Sequence, residues 1–395
     1  MKVLLVDFKS PSKSIKKIVP LALLKLSTFY KNRGDIVKFC TSETVIKDFN
    51  PDIICFSCIF IFNMAGDIGC IRGFAKRFPK AKIRVGGISP TIKTDVFRKY
   101  LGDRFEIFSG INSEIEYLAP DYSLTNTSVS YGFTSRGCIR KCKWCVVPIN
   151  EGEMKLDDTW TRQIGQHKIF QAFDNNILAT GVDWTRSVLK EIKSRGKLVD
   201  FSQAMDCRLF AKKEGFHPLF KEYDSTFELY RFAYDSNSED LKRSAIKTNE
   251  ILSKYIKTKK SIVWYMLYGN KETIEDFWER IEIVFSCTDL NTKIKPMRFK
   301  DLDTGKYPYA GWYGNLAGAI ALISGVTGLI QNSQFKEGLW GRNCIEFKRI
   351  ITLLGKNINS IRKHTYKNFV FKNIHKQFIL DIAEGKTTEL DIKLI

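Results

Sequence analysis

The chain has no apolar run long enough to cross a bilayer; the longest, residues 316–330, is short and rich in glycine. The opening run Val3–Val6 stops at Asp7, too soon and with no cleavage site for a secretory signal. There is no internal repeat and no low-complexity tract, so repeat arrays and disordered linkers are excluded. Acidic residues are scarce, 43 against 63 lysines and arginines, which leaves a net charge of +20. That surplus favours polyanions through long-range attraction. No block of five or six consecutive basic residues gathers it, so much of it also suits solvated helix faces. Histidine is rarer still, with His167, His217, His364 and His375 alone, and no His-x3-His pair is available for zinc.

Cysteine is plentiful by contrast. Ten cysteines are unevenly spaced, three of them within eight positions. That pattern fits a reducing compartment, the cytosol by default, better than a disulfide framework. At 395 residues, two or three domains are expected.

Hydrophobic periodicity predicts strands over residues 2–8, 36–40, 52–61, 83–86 and 105–111, with helices over 21–31, closed by Gly34, and 65–78. Strict alternation argues for an α/β chain whose N-terminal part is a doubly wound parallel, Rossmann-like sheet. The turn-rich stretch Ala119-Pro120-Asp121-Tyr122-Ser123 is a candidate linker. A second series follows, with strands over 131–134, 168–173, 198–204, 229–234 and 262–268 and a helix over 184–194. It suggests a full or partial (β/α) barrel with functional loops at the strand C-termini. The expected domains are therefore 1–125, 126–300 and a mainly helical C-terminal region, 301–395.

The most informative segment is Thr134-Ser135-Arg136-Gly137-Cys138-Ile139-Arg140-Lys141-Cys142-Lys143-Trp144-Cys145. Three thiolates spaced Cys-x3-Cys-x2-Cys can ligate three irons of a cubane and leave the fourth open to a small chelating molecule. Gly137 allows a sharp turn. Arg136, Arg140, Lys141 and Lys143 offset an anionic cluster and favour thiolate. A zinc site is the competing reading; it needs four ligands, with Cys207 or His167 as the available fourth. Cys40, Cys55, Cys58, Cys70, Cys287 and Cys344 lie in apolar or helical segments and read as core residues.

This motif, placed after a short strand, resembles that of the radical S-adenosylmethionine superfamily, over roughly residues 126–300. The resemblance implies a 4Fe-4S cluster on Cys138, Cys142 and Cys145, with S-adenosylmethionine chelating the open iron. Reductive cleavage would then give a 5′-deoxyadenosyl radical that abstracts a substrate hydrogen atom. It implies that Trp144 lies against adenine. Asp174 and Asn175 stand where many members have Gly-Gly-Glu for the cofactor's amino group. Gln203-Ala204-Met205-Asp206-Cys207-Arg208 is similar to a Gln-Gly-Leu-Asp-x-Arg stretch, offering Gln203 and an arginine, Arg208, for the cofactor carboxylate. A strand-end Asp-x-Arg also occurs as a plain surface ion pair. Asp235 or Ser236 would reach the ribose, and Met266 lies on the strand usually giving backbone contacts to adenine. Pro296-Met297-Arg298-Phe299 would lie near a sixth strand, towards substrate.

Residues 1–125 resemble the cobalamin-binding domain that precedes many such enzymes, with Gly86-Gly87 placed to let backbone approach the ligand. The usual Asp-x-His-x-x-Gly loop is absent: Asp7-Phe8-Lys9-Ser10-Pro11-Ser12 holds no histidine. Cobalamin is thus a candidate third cofactor, and cobalamin-assisted methyl transfer a candidate reaction. Two alternatives stay open: a radical enzyme that modifies tRNA or another nucleic acid, as in methylthiolation, and a non-enzymatic metal-stabilised binding module. An electron donor such as flavodoxin or ferredoxin is the expected partner, the substrate is unassigned with a polyanion among the candidates, and no membrane insertion is expected.

Overall fold

The computed structural model describes residues 1–8, 19–42, 48–256, 260–269, 272–287 and 289–304. They divide into two compact α/β units, one running to Asn175 and the other from Asn176. The expected C-terminal helices, the 316–330 run, Cys344, His364, His375 and Lys9–Ser12 lie outside the described residues.

In the first unit, β1 (Lys2–Asp7), β2 (Ile36–Thr41), β3 (Ile53–Ser57), β4 (Lys82–Gly86) and β5 (Phe105–Ile107) form one parallel sheet in the order β2-β1-β3-β4-β5. Successive side chains of a strand point to opposite faces, so a sheet covered on both sides needs continuous apolar runs. Lys2–Asp7 and Ile53–Ser57 supply them. Leu4, Val6, Ile54 and Phe56 pack with Ile71 and Phe74 of α2 (Met64–Arg77) and Phe97 beyond it, while Val3, Leu5, Ile53 and Cys55 pack with Leu23, Leu24 and Tyr30 of α1 (Leu21–Asn32). α1 closes as expected near Gly34, whose φ of +79° suits glycine. Past β4, the chain forms α3 (Ile88–Ile92) and α4 (Thr94–Leu101), then α5 (Ser113–Glu116) beyond β5.

The candidate linker at 119–123 is stitched into this unit. Asp121 accepts hydrogen bonds from Ser27 Oγ and Lys31 Nζ of α1, each at 2.6 Å. Tyr122 donates to the Tyr131 carbonyl at 2.8 Å. Turn chemistry therefore anchors the segment to α1. Next, β6 (Val129–Gly132) pairs in parallel with β9 (Ile169–Ala172), and between them lie β7 (Ser135–Arg136), α6 (Val147–Asn150) and β8 (Lys155–Leu156). Tyr131 is fully buried in the α1-side core and donates to the Val19 carbonyl at 2.7 Å, fixing β6 to the first sheet's layer.

The second unit repeats the strand–helix rhythm: α7 (Val182–Ser194), β10 (Leu198–Phe201), β11 (Met205–Asp206), α8 (Cys207–Lys212), α9 (Phe216–Glu222), β12 (Tyr230–Ala233), α10 (Glu239–Tyr255), β13 (Ser261–Tyr268), α11 (Ile274–Phe285) and β14 (Asn291–Arg298). β11-β12-β13-β14 form a parallel sheet whose strand C-termini share one edge. Among the described residues no helix is long and apolar enough to cross a membrane.

Candidate functional site

The three clustered cysteines ride on one closed loop. β7 and β8 pair antiparallel, Ser135 opposite Leu156 and Arg136 opposite Lys155, so residues 137–154 leave and return at one neck. Gly137 opens the loop at φ +78°, and a Cβ there would overlap the Glu153 carbonyl, so only glycine fits on both counts. Inside the loop, Cys145 N donates to the Cys142 carbonyl at 3.0 Å and Arg140 N lies 3.4 Å from Cys138 Sγ. All three cysteines are half-buried. Burial pushes the Cys145 thiol up; Cys142, Cys138 and the Glu151 carboxylate push it further, against a bond at Val147. Nearby positive charge would favour thiolate.

Carboxylates hold the neck. Asp174 is 1% exposed, and it accepts from Thr134 N at 3.1 Å, Thr134 Oγ1 at 2.6 Å and Ser135 Oγ at 2.6 Å. It clamps the strand that enters the loop. Asn175 donates from Nδ2 to Glu151 at 2.7 Å. Arg136, expected to offset cluster charge, is already neutralised: Nε and Nη2 reach Glu116 at 2.7 and 3.0 Å, and Nη1 reaches Glu151 at 3.2 Å. Its guanidinium also stacks 3.4 Å from the Phe133 ring centroid. Lys141 and Lys143 stay exposed, and Trp144 is half-buried. Glu116, Glu151 and Lys25 were not legible as site residues. Lys25, 2% exposed on α1, donates to the Glu116 carbonyl, and burial pushes its ammonium down to about 8.

Among the described residues no three His, Cys, Asp or Glu side chains stand as a group able to hold a single ion. A structural zinc takes four ligands at one point, and a cubane takes one thiolate per iron around one core. His167, one candidate fourth zinc ligand, has Nδ1 3.0 Å from Ser130 Oγ. The loop carries three cysteines, the soft sulfur donors that a cubane takes one per iron.

In the second unit Gln203 lies between β10 and β11, Arg208 in α8 just after β11, Asp235 and Ser236 just after β12, and Met266 within β13. Gln203 is exposed, beside Ala204 in the left-handed region at φ +71°. Arg208 binds Asp206 with both arms, Nε at 2.8 Å and Nη2 at 3.0 Å, while Asp206 caps α8 by accepting from Arg208 N at 3.0 Å. Burial pushes the Asp235 carboxyl up to about 6, and its Oδ1 is buried without a partner. Ser236 Oγ lies 3.4 Å from Ser238 Oγ. Met266 is 0% exposed, so its side chain belongs to the core. Sequence reasoning missed Arg280, which is fully buried and donates to the Tyr234 carbonyl at 2.7 Å, the Leu267 carbonyl at 2.9 Å, and Glu272. Burial pushes Glu272 up to about 7.

On the first sheet, Gly87 has φ +107° and a Cβ there would lie 2.5 Å from the Cys58 carbonyl oxygen. The close approach it allows is to the chain's own backbone. Gly86 would meet only Phe108 Cβ at 3.7 Å, an ordinary contact. Compared with models of known protein families and with curated protein sequences, the chain matches none.

Proposed function

We propose that the chain is a radical S-adenosylmethionine enzyme whose 4Fe-4S cluster is held by Cys138, Cys142 and Cys145. The observation that carries this reading is the closed loop: three cysteines in Cys-x3-Cys-x2-Cys spacing between the paired strands β7 and β8. When bound, the cluster supplies the electron that cleaves S-adenosylmethionine, the source of a 5′-deoxyadenosyl radical for hydrogen abstraction. The chain's own residues orient and shield. Trp144 offers a half-buried aromatic face for adenine. Asp235 offers a buried, unpartnered oxygen suited to a ribose hydroxyl. Asp174 and Asn175 hold the loop, and Arg208 reaches a cofactor carboxylate only by exchanging Asp206 for it.

In this reading the first sheet is a Rossmann-like, cobalamin-binding-like domain, and residues 126–300 are a (β/α) barrel domain. The protein works in the cytoplasm with a flavodoxin- or ferredoxin-type electron donor. Cobalamin-assisted methyl transfer is one reaction within the reading, and the net charge of +20 favours a polyanionic substrate. Anaerobic reconstitution with iron and sulfide, followed by a 5′-deoxyadenosine assay with a reductant, tests it. Activity lost in Cys142→Ala is the expected result; bound zinc without iron would remove the proposal. A corrin spectrum that co-purifies after adding cobalamin tests the first domain separately.

A further inference from the structure

We infer that Glu151 is the positioning residue of the cysteine loop, a latch that closes its neck before any metal arrives. The residue follows α6 and faces the point where the loop begins. One carboxylate oxygen accepts from Gly137 N at 2.9 Å and from Asn175 Nδ2 at 2.7 Å, and the other accepts from Arg136 Nη1 at 3.2 Å. Its side chain is 7% exposed. A single anion thus ties together the strand entering the loop, the loop's first amide, the exit of β9 and the end of α6. Arg136 is itself held by Glu116, so the latch is braced from α5.

Charge-assisted bonds to a buried carboxylate are the strong ones, and three donors converging on it leave little freedom for the backbone between Gly137 and Glu151. Ligands fixed in advance lose less entropy on binding, and the residues behind the ligands control metal affinity. In this role Glu151 acts through the backbone that carries the sulfurs, beside the effect of its charge on Cys145. That the loop holds iron rests on the function proposed above, but the latch itself does not.

Two measurements separate the two claims. In iron-free full-length protein, Glu151→Ala should accelerate amide hydrogen exchange in peptides spanning residues 137–150 by about tenfold or more, the scale of one lost charge-assisted bond. Peptides from β1, β3 and β4 should exchange as in the parent chain. Glu151→Gln, which keeps an acceptor for Gly137 and Asn175, should restore part of the protection. In anaerobically reconstituted protein, iron loss to a chelator should speed by roughly 10–100-fold in Glu151→Ala, the range seen when such supporting residues are removed. Glu151→Gln should lose iron at an intermediate rate. Unchanged exchange in Glu151→Ala would overturn the latch. If that variant loosens the whole chain, Asn175→Ala decides: acceleration confined to the loop supports the latch, and none overturns it. A parent chain that takes up no iron would remove the proposed function and leave the exchange result to judge the latch by itself.

Discussion

Asp174 and Asp235 occupy comparable places, each just past the end of a strand, the first buried and the second half-buried with one buried oxygen. Burial raises both carboxyls, yet their hydrogen bonding differs. Asp174 receives three hydrogen bonds from Thr134 and Ser135. Asp235 keeps one buried oxygen with no partner and is pushed up to about 6 by burial. A buried carboxylate that is fully satisfied by its own chain is a clamp, and one left partly unsatisfied marks a place for something else. The loop neck of the first unit is thus complete as it stands, while the strand ends around Asp235 in the second unit are not.

The sharpest way to break this contrast is Asp174→Ala. It would strand the Thr134 N–H and two hydroxyls in a site 1% exposed, so urea unfolding should show a loss of about 3 kcal/mol or more. A change within experimental error would mean that the clamp is illusory. Gly137→Ala should come next, costing roughly 1–3 kcal/mol through a positive φ and a clash with the Glu153 carbonyl, seen as a lowered melting temperature.

Asp235→Asn should act in the opposite direction. A carboxyl raised to about 6 favours its protonated form in the folded chain. Its contribution to stability is therefore full below the ordinary carboxylate range and lost as pH rises through about 6. Asparagine removes that loss, so the variant should be more stable than the parent chain above pH 6 by up to about 3 kcal/mol and similar to it at pH 4. Thermal melts across that range check the sign; a variant destabilised at pH 7 would show that the charge is compensated. The smallest effect belongs to Arg208→Ala. Its partly exposed pair with Asp206 should be worth less than about 1 kcal/mol by chemical denaturation.

Much of the fold was legible because its signals are local. Helix 21–31 is observed as Leu21–Asn32 and helix 65–78 as Met64–Arg77, since apolar spacing marks both and Gly34 closes the first. The strand expected over 198–204 ends at Phe201, because Ala204 takes a left-handed conformation that composition does not reveal. The strand expected over 105–111 shrinks to Phe105–Ile107, whose pairing is limited by β4. α3 and α4 went unread behind the Gly86-Gly87 turn.

For the site, three cysteines could be read because their spacing is written in one short stretch. The residues that hold them could not. Glu116 lies 20 positions before Arg136, and Asn175 lies 24 after Glu151, so their pairing exists only once the chain is folded. Motif likeness placed Asp174 and Asn175 at a strand end, where the geometry turns both towards the loop. Gly87 was read as an opening for a ligand, whereas it accommodates Cys58.

The most direct measurement is iron and sulfide content after anaerobic reconstitution of the full-length chain and of its Cys138→Ala, Cys142→Ala and Cys145→Ala variants. A 4Fe-4S complement is expected in the parent chain, lost or degraded in all three variants. Full retention in any one of them, or stoichiometric zinc in place of iron, would contradict this expectation.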